Sequence, residues 1–134
     1  MMTKENLASF YRDYIACLNN QTWDALDRFV GAEVVHNGKC LGLTGYREML
    51  ESDFQHIPDL RFNIGLLICE PPYVACRLDF RCAPKGRFLD LDVNGRTVAF
   101  TENVFYKVES GKIAEVWSVI DKGAIEAQLA VRRR

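Results

Sequence analysis

Histidine is scarce in this chain, with only His36 and His56, and the five cysteines (Cys17, Cys40, Cys69, Cys76, Cys82) form neither a Cys-x-x-Cys pair nor a paired histidine spacing. That pattern speaks against a zinc site or a disulfide framework and fits reduced thiols in a cytoplasmic protein. No apolar run has the length of a signal peptide or a membrane span, so neither secretion nor a membrane partner is expected. The formal net charge of −1 lacks the basic excess that a nucleic-acid surface needs. The one charge run, Arg132-Arg133-Arg134, reads as a solvated tail suited to the negative end of a last helix. Also missing are a Gly-x-Ser-x-Gly elbow, a phosphate-cradling glycine loop and a dinucleotide fingerprint. Serine hydrolysis, phosphoryl transfer and hydride transfer therefore lack their parts, and neither metal nor cofactor is expected.

What is present is ordinary globular material, 49% hydrophobic and 26% charged over 134 residues, which suits a single domain spanning 1–134. A chain of this length buries roughly two-thirds of its unfolded surface and needs no staple. The first third has helical period. Thr3 caps a helix with Leu7, Phe10, Tyr11, Tyr14, Ile15 and Leu18 on one stripe, ended by Asn19-Asn20. Thr22 caps a shorter helix carrying Trp23, Leu26, Phe29 and Val30. An extended piece, Val34-Val35-His36, stops at Asn37-Gly38; Thr44 then caps a third helix with Tyr46, Met49, Leu50, Phe54 and Ile57 inward, ending before Pro58.

Beyond Pro58 the period becomes two. Leu60, Phe62, Ile64, Leu66 and Ile68 alternate with Arg61, Asn63 and Gly65, Pro71-Pro72 makes a turn, and Val74, Cys76, Leu78 and Phe80 alternate with Ala75, Arg77, Asp79 and Arg81. A strand over Leu89 to Val93 turns at Asn94-Gly95 into another over Thr97 to Val108, and Lys112 to Ile120 forms the next, before a short terminal helix with Ile125 and Leu129. Helices first and hairpins afterwards indicate an α+β fold, three N-terminal helices on one face of a curved antiparallel or mixed sheet.

Register sharpens the reading. With Ser110-Gly111 as a two-residue turn, Glu109 pairs with Lys112, Val104 faces Trp117, Glu102 faces Val119 and Phe100 faces Asp121. Phe100, Val104, Trp117 and Val119 then share an apolar face with two carboxylates, Glu102 and Asp121, diagonal neighbours on the order of 7–8 Å apart. Carboxylates among aromatic and branched side chains are costly when dry, so this face should open into a cavity, with one carboxyl pKa raised. Such a pair suits general acid–base work on a small organic molecule. Two readings of Asp121 stand side by side, an acid–base group or the N-cap of the last helix. Glu102 is read either as its catalytic neighbour or as half of a buried ion pair with an arginine. His36 either looks into the mouth of the pocket or is a scaffold residue at a turn; His56 reads as a helix-terminus cation. The Arg77, Asp79, Arg81 row reads as a charge ladder on the outer sheet surface or at a dimer contact.

The stretches HIPDLRF, YVACRLDFR and APKGRFLDLDVNGRTVAFTENVFYKVESGKIAEVWSVID resemble the SnoaL-like polyketide cyclase and ester cyclase family, of the nuclear-transport-factor-2-like superfamily. The ending Gly111-Lys112-Ile113, Glu115, Trp117 and Asp121 carries most of the likeness. The resemblance implies a cone-shaped α+β barrel with a deep pocket, a homodimer through the sheet, and cofactor-free ring closure of a small hydrophobic molecule bearing a ketone or ester. It places the acid–base at Asp121, a second site histidine at His36 and a pocket wall at Trp117. In this scheme Asp121 removes an α-proton while His36 or Tyr14 supports the enolate; Phe54 is a further wall residue. The rival chemistries are an epoxide hydrolase or a dehydratase using Asp121 to activate water, and the rival class is a non-catalytic ligand-binding protein. Where some cyclases carry a histidine in the Phe100 to Phe105 strand, Glu102 and Asn103 stand here.

Overall fold

The computed structural model describes residues 2–131, so the Arg132–Arg134 tail lies outside the described residues. Helix α1 (Lys4–Asn19) starts at Thr3, whose hydroxyl accepts from the Asn6 amide as the sequence predicts. The shorter helix is a 3-10 turn (Trp23–Arg28) rather than an α-helix, and Val30 already belongs to strand β1 (Val30–His36). Strand β2 (Lys39–Cys40) folds back on β1, and helix α2 (Gly42–His56) begins two residues before Thr44 without a side-chain cap. Gly42 has φ +67 at that junction, a left-handed conformation that glycine adopts freely.

Strands β3 (Asn63–Glu70), β4 (Tyr73–Cys82), β7 (Val98–Glu109) and β8 (Lys112–Ile120) build a meander, and β1 joins β8 in parallel. The six-stranded order is β2-β1-β8-β7-β4-β3. The sheet curves around α1 and α2 without closing, the cone architecture in its open form. Its inner face supplies Val74, Cys76, Leu78, Phe80, Phe100, Val104, Tyr106, Ile113 and Val116 to one core shared with the helices. Helix α3 (Lys122–Leu129) follows β8 and docks on β7. There the Gln128 amide accepts from Ala99 N–H (2.8 Å) and donates to Ala99 C=O (2.6 Å), extending the ladder where β8 has stopped.

Three departures from the sequence reading share one origin, irregular pairing that residue spacing does not reveal. Between β7 and β8 the pairs run Glu109–Lys112 and Val108–Ile113, as expected, and then Lys107–Glu115. Ala114 is an extra residue on one side only, a β-bulge, and everything beyond it changes face. A second irregularity lies at Gly65, where a Cβ would collide with the Asp79 carboxylate. It turns Leu66 and Ile68 to the outer face, against the expected alternation. The strand expected over Leu89 to Val93 is instead a small separate hairpin, β5 (Arg87–Phe88) and β6 (Leu91–Asp92), and Asn94-Gly95 turns the chain without pairing it to β7. Arg77, Asp79 and Arg81 do lie exposed on the outer surface, with Arg77 Nε 3.8 Å from Asp79 along the strand.

Candidate active site

The polar groups that matter chemically are those held among apolar ones. Helix α2 buries Tyr46 and Leu50 and ends on buried Ile57. The spacing 46, 50, 53, 57 places Asp53 on that same inward stripe. Facing it, β7 holds Glu102 on the inner surface of the sheet, opposite Leu78 on one side and Ile120 on the other. The two carboxyl groups line one chamber of about 70 Å³ with Ile57, Leu60, Ile120 and the rings of Phe62, Phe80, Phe88 and Phe100. The rings pack edge to face and in stacks, with the Phe80 and Phe100 centroids 5.2 Å apart and Phe62 and Phe80 5.4 Å apart. Larger open clefts, of about 730 and 500 Å³, lie against solvated ion pairs such as Lys107–Glu109 and Arg47–Glu51 and hold no comparable pair of desolvated acids.

Burial in this chamber, with the charge of Glu102 adding to it and His56 opposing it, pushes the Asp53 carboxyl up to about 6. Burial raises Glu102 as well, and hydrogen bonding to Ser118 pulls it back. Among the described residues no arginine or lysine forms an ion pair with Glu102, so the structural-bridge reading of that residue falls. Two carboxyls so placed oppose each other's ionisation.

Beside this pair lies a group of four buried phenols. Tyr14 and Tyr46 share a hydrogen bond of 2.7 Å, and Tyr11 donates to Tyr106 at 3.2 Å. Burial raises the pKa of all four, and the charge of Glu102 adds to the rise at Tyr14, Tyr46 and Tyr106. These phenols therefore stay protonated and act as donors. The His36 ring, half-buried, lies edge-on to Tyr46 with centroids 6.2 Å apart, and burial lowers its pKa toward the neutral imidazole.

The residues expected at the site divide sharply. Glu102 and Phe100 line the chamber, Val104 is buried farther along the same face, and Tyr14 sits in the adjoining core. Phe54 stands behind the wall, its ring 5.8 Å from Trp23 and 6.0 Å from Phe62. Trp117 and Val119 are on the opposite, outer face, because the Ala114 bulge reverses their register; Val116, Ser118 and Ile120 turn inward instead. The same bulge removes Asp121 from the inner face. Its backbone N–H bonds to Thr101 C=O, and its exposed carboxylate accepts from the Ala124 amide at 3.1 Å as the N-cap of α3. The cap reading of Asp121 is the one the geometry carries. Asp53 was legible in principle, as a carboxylate on an apolar helical stripe, but it stands among polar neighbours (Glu51, Ser52, Gln55) that mask it.

Among the described residues no cluster of histidine, cysteine, aspartate and glutamate is arranged to hold a metal ion, and no helix is long and apolar enough to cross a membrane. Compared with known proteins, residues 8–129 match the family model described as SnoaL-like polyketide cyclase. A SnoaL-like polyketide cyclase from Agrobacterium tumefaciens, solved by crystallography, shares 50% identity over 97% of this chain and 100% of its own, with a TM-score of 0.91. TsrD from Streptomyces laurentii (20% identity, 97% of this chain and 98% of its own, TM-score 0.84) and IdmH from Streptomyces antibioticus (18%, 92% and 98%, 0.78) share the fold. No match is found among curated protein sequences.

Proposed function

The chain belongs to the SnoaL-like polyketide cyclase family, and from that premise we propose a cofactor-free carbon-acid enzyme whose acid–base pair is Asp53 and Glu102. The observation that carries the proposal is the pairing of two desolvated carboxyls in one phenylalanine-walled chamber. In the reaction proposed, ionised Asp53 removes an α-proton from a bound ketone or ester. The charge of Glu102 strengthens Asp53 as a base, and a phenol of the adjoining Tyr14–Tyr46 pair donates to the developing enolate oxygen. The enolate carbon then attacks a second carbonyl of the same molecule, closing a carbon–carbon bond. Asp53 returns its proton to the new alkoxide, so the proton balance closes without a second reagent. A proton acceptor that titrates near 6 is well matched to this step, because efficiency peaks when the catalytic pKa lies near the working pH.

The test is exchange at the α-carbon of acetophenone in heavy water, followed by proton NMR. Asp53→Asn should lose at least about 100-fold of the protein-catalysed rate. Asp121→Asn should leave the rate within about twofold, since a cap acts on stability. The opposite pattern would return the acid–base role to Asp121, the residue that the family resemblance singles out.

A homodimer through the sheet is part of the same proposal. Leu66 and Ile68 on β3 and Phe105, Trp117 and Val119 on β7 and β8 are exposed on the face away from the helices, joined across β4 through Ala75 and bordered there by Arg77. A patch of this kind on a soluble chain marks a contact surface, and a two-fold axis would let it cover itself.

A further inference from the structure

The chamber walls differ in what holds them. Phe62, Phe80 and Phe100 are buried at or within the main sheet, and Ile57 and Leu60 follow the end of α2. Phe88 alone comes from the β5–β6 hairpin, which forms no ladder with the six-stranded sheet. That hairpin hangs between two glycines in left-handed conformations, Gly86 at φ +54 and Gly95 at φ +81, and a Cβ at either would meet open space. The base is anchored by Lys85 N–H to His56 C=O (2.9 Å), Gly95 N–H to Pro84 C=O (2.8 Å) and fully buried Val93.

Within the hairpin, Arg87 ties the two strands to each other. Its guanidinium lies 3.3 Å from Asp92 and donates to Asp90 C=O at 2.7 Å. The tip, Leu89-Asp90, holds both residues in the left-handed region, φ +52 and +62, where neither has glycine's freedom. An element tied to itself and bounded at its base by a glycine has the build of a body that can turn about that base. The chamber, about 70 Å³ behind a partly open mouth, is far below the roughly 300–1,000 Å³ of pockets that enclose a drug-sized ligand. A molecule with two carbonyls set for ring closure therefore needs a wall to move, and the hairpin is the wall built to do so.

We propose that the β5–β6 hairpin is the movable wall of the chamber, swinging about its base at Gly86 and Val93, and that Phe88, its ring tilted against Phe100 with centroids 5.7 Å apart, sets the size of ketone or ester admitted. The proposal rests on the chamber being the substrate site, so its test is made by binding rather than by turnover.

In an Asp53→Asn background, which removes the chemistry, the affinities for acetophenone and for the two-ring 2-acetonaphthone are measured by calorimetry with and without Phe88→Ala. Opening the wall should tighten 2-acetonaphthone about tenfold while acetophenone changes by less than about threefold. Equal shifts for both ketones, or no shift for either, overturn Phe88 as the size gate. Relaxation-dispersion NMR on the unaltered protein tests the motion itself. Microsecond-to-millisecond exchange confined to residues 86–95, with β4 and β7 quiet, supports the swinging hairpin; a uniformly quiet backbone overturns it. Absence of α-proton exchange in the unaltered protein, together with the expected tightening of 2-acetonaphthone, would count against the chemistry and leave the gate standing.

Discussion

The two faces of the β7–β8 hairpin carry comparable apolar side chains but meet different surroundings. Inside, Phe100, Val104, Tyr106, Ile113 and Val116 are sealed beneath the helices. Outside, Phe105, Trp117 and Val119 remain 55%, 37% and 70% exposed. Hydrophobicity alone does not choose between them, since a Trp or Val would be welcome on either side. One unpaired residue, Ala114, makes the choice by shifting the phase of all that follows it. The inner face then receives Ser118 and Ile120 beside Glu102, while the outer face receives a sticky surface and Asp121 moves to the rim as a cap.

The most severe way to break this contrast is to insert one residue between Glu115 and Val116. If the ladder absorbs it in register, Trp117 and Val119 turn inward and Val116 outward, and the variant should lose more than about 4 kcal/mol or fail to fold cooperatively in urea. Retention of native stability would show that the strand takes up the extra residue beside Ala114 and that one step of phase does not set the faces.

Next in size is the cost of the buried acid. Asp53 has its pKa raised from 3.8 to about 6, so the folded state binds its proton more tightly than the unfolded chain does. This group's favourable contribution is full below 3.8 and is lost as pH climbs from there through about 6. Asp53→Asn removes the loss and should stabilise the protein at neutral pH by on the order of 2 kcal/mol, an effect that vanishes at acid pH. Urea unfolding across that range checks it; parallel curves for variant and parent would mean that the carboxyl is not desolvated.

Asp121→Ala should cost about 1 kcal/mol in urea unfolding through the lost cap. Smallest is the outer face. Phe105→Arg should change the unfolding free energy of the monomer by no more than about 0.5 kcal/mol, yet abolish self-association in sedimentation if a second copy covers that face. The same charge placed inside, at Phe100, would not be tolerated so lightly.

Much of this was legible in the amino-acid order. Thr3 caps α1, the stripe Leu7, Tyr11, Tyr14, Leu18 is its buried face, and Val74, Cys76, Leu78 and Phe80 alternate inward as read. Glu102 was placed inside correctly because its face follows from the long regular pairing of β4 with β7, which contains no irregularity. Trp117, Val119 and Asp121 lie elsewhere than a residue count across the Ser110-Gly111 turn implies, because such a count presupposes a ladder without a bulge. Asp53 was missed because a carboxylate in a polar stretch of helix looks solvated until the opposite wall is known.

The amino-acid order specifies the helices-then-hairpins succession, the α+β class and a carboxylate on an apolar strand face, through short-range period, capping and turn chemistry that act between residues close along the chain; the family shows in the resemblance of whole stretches such as GKIAEVWSVID. Which acids share a chamber, which aromatic residues wall it and which face of the sheet is left bare are settled by tertiary packing. Those outcomes depend on bulges and on long-range packing, where one extra residue reverses a face and no local signal records the change.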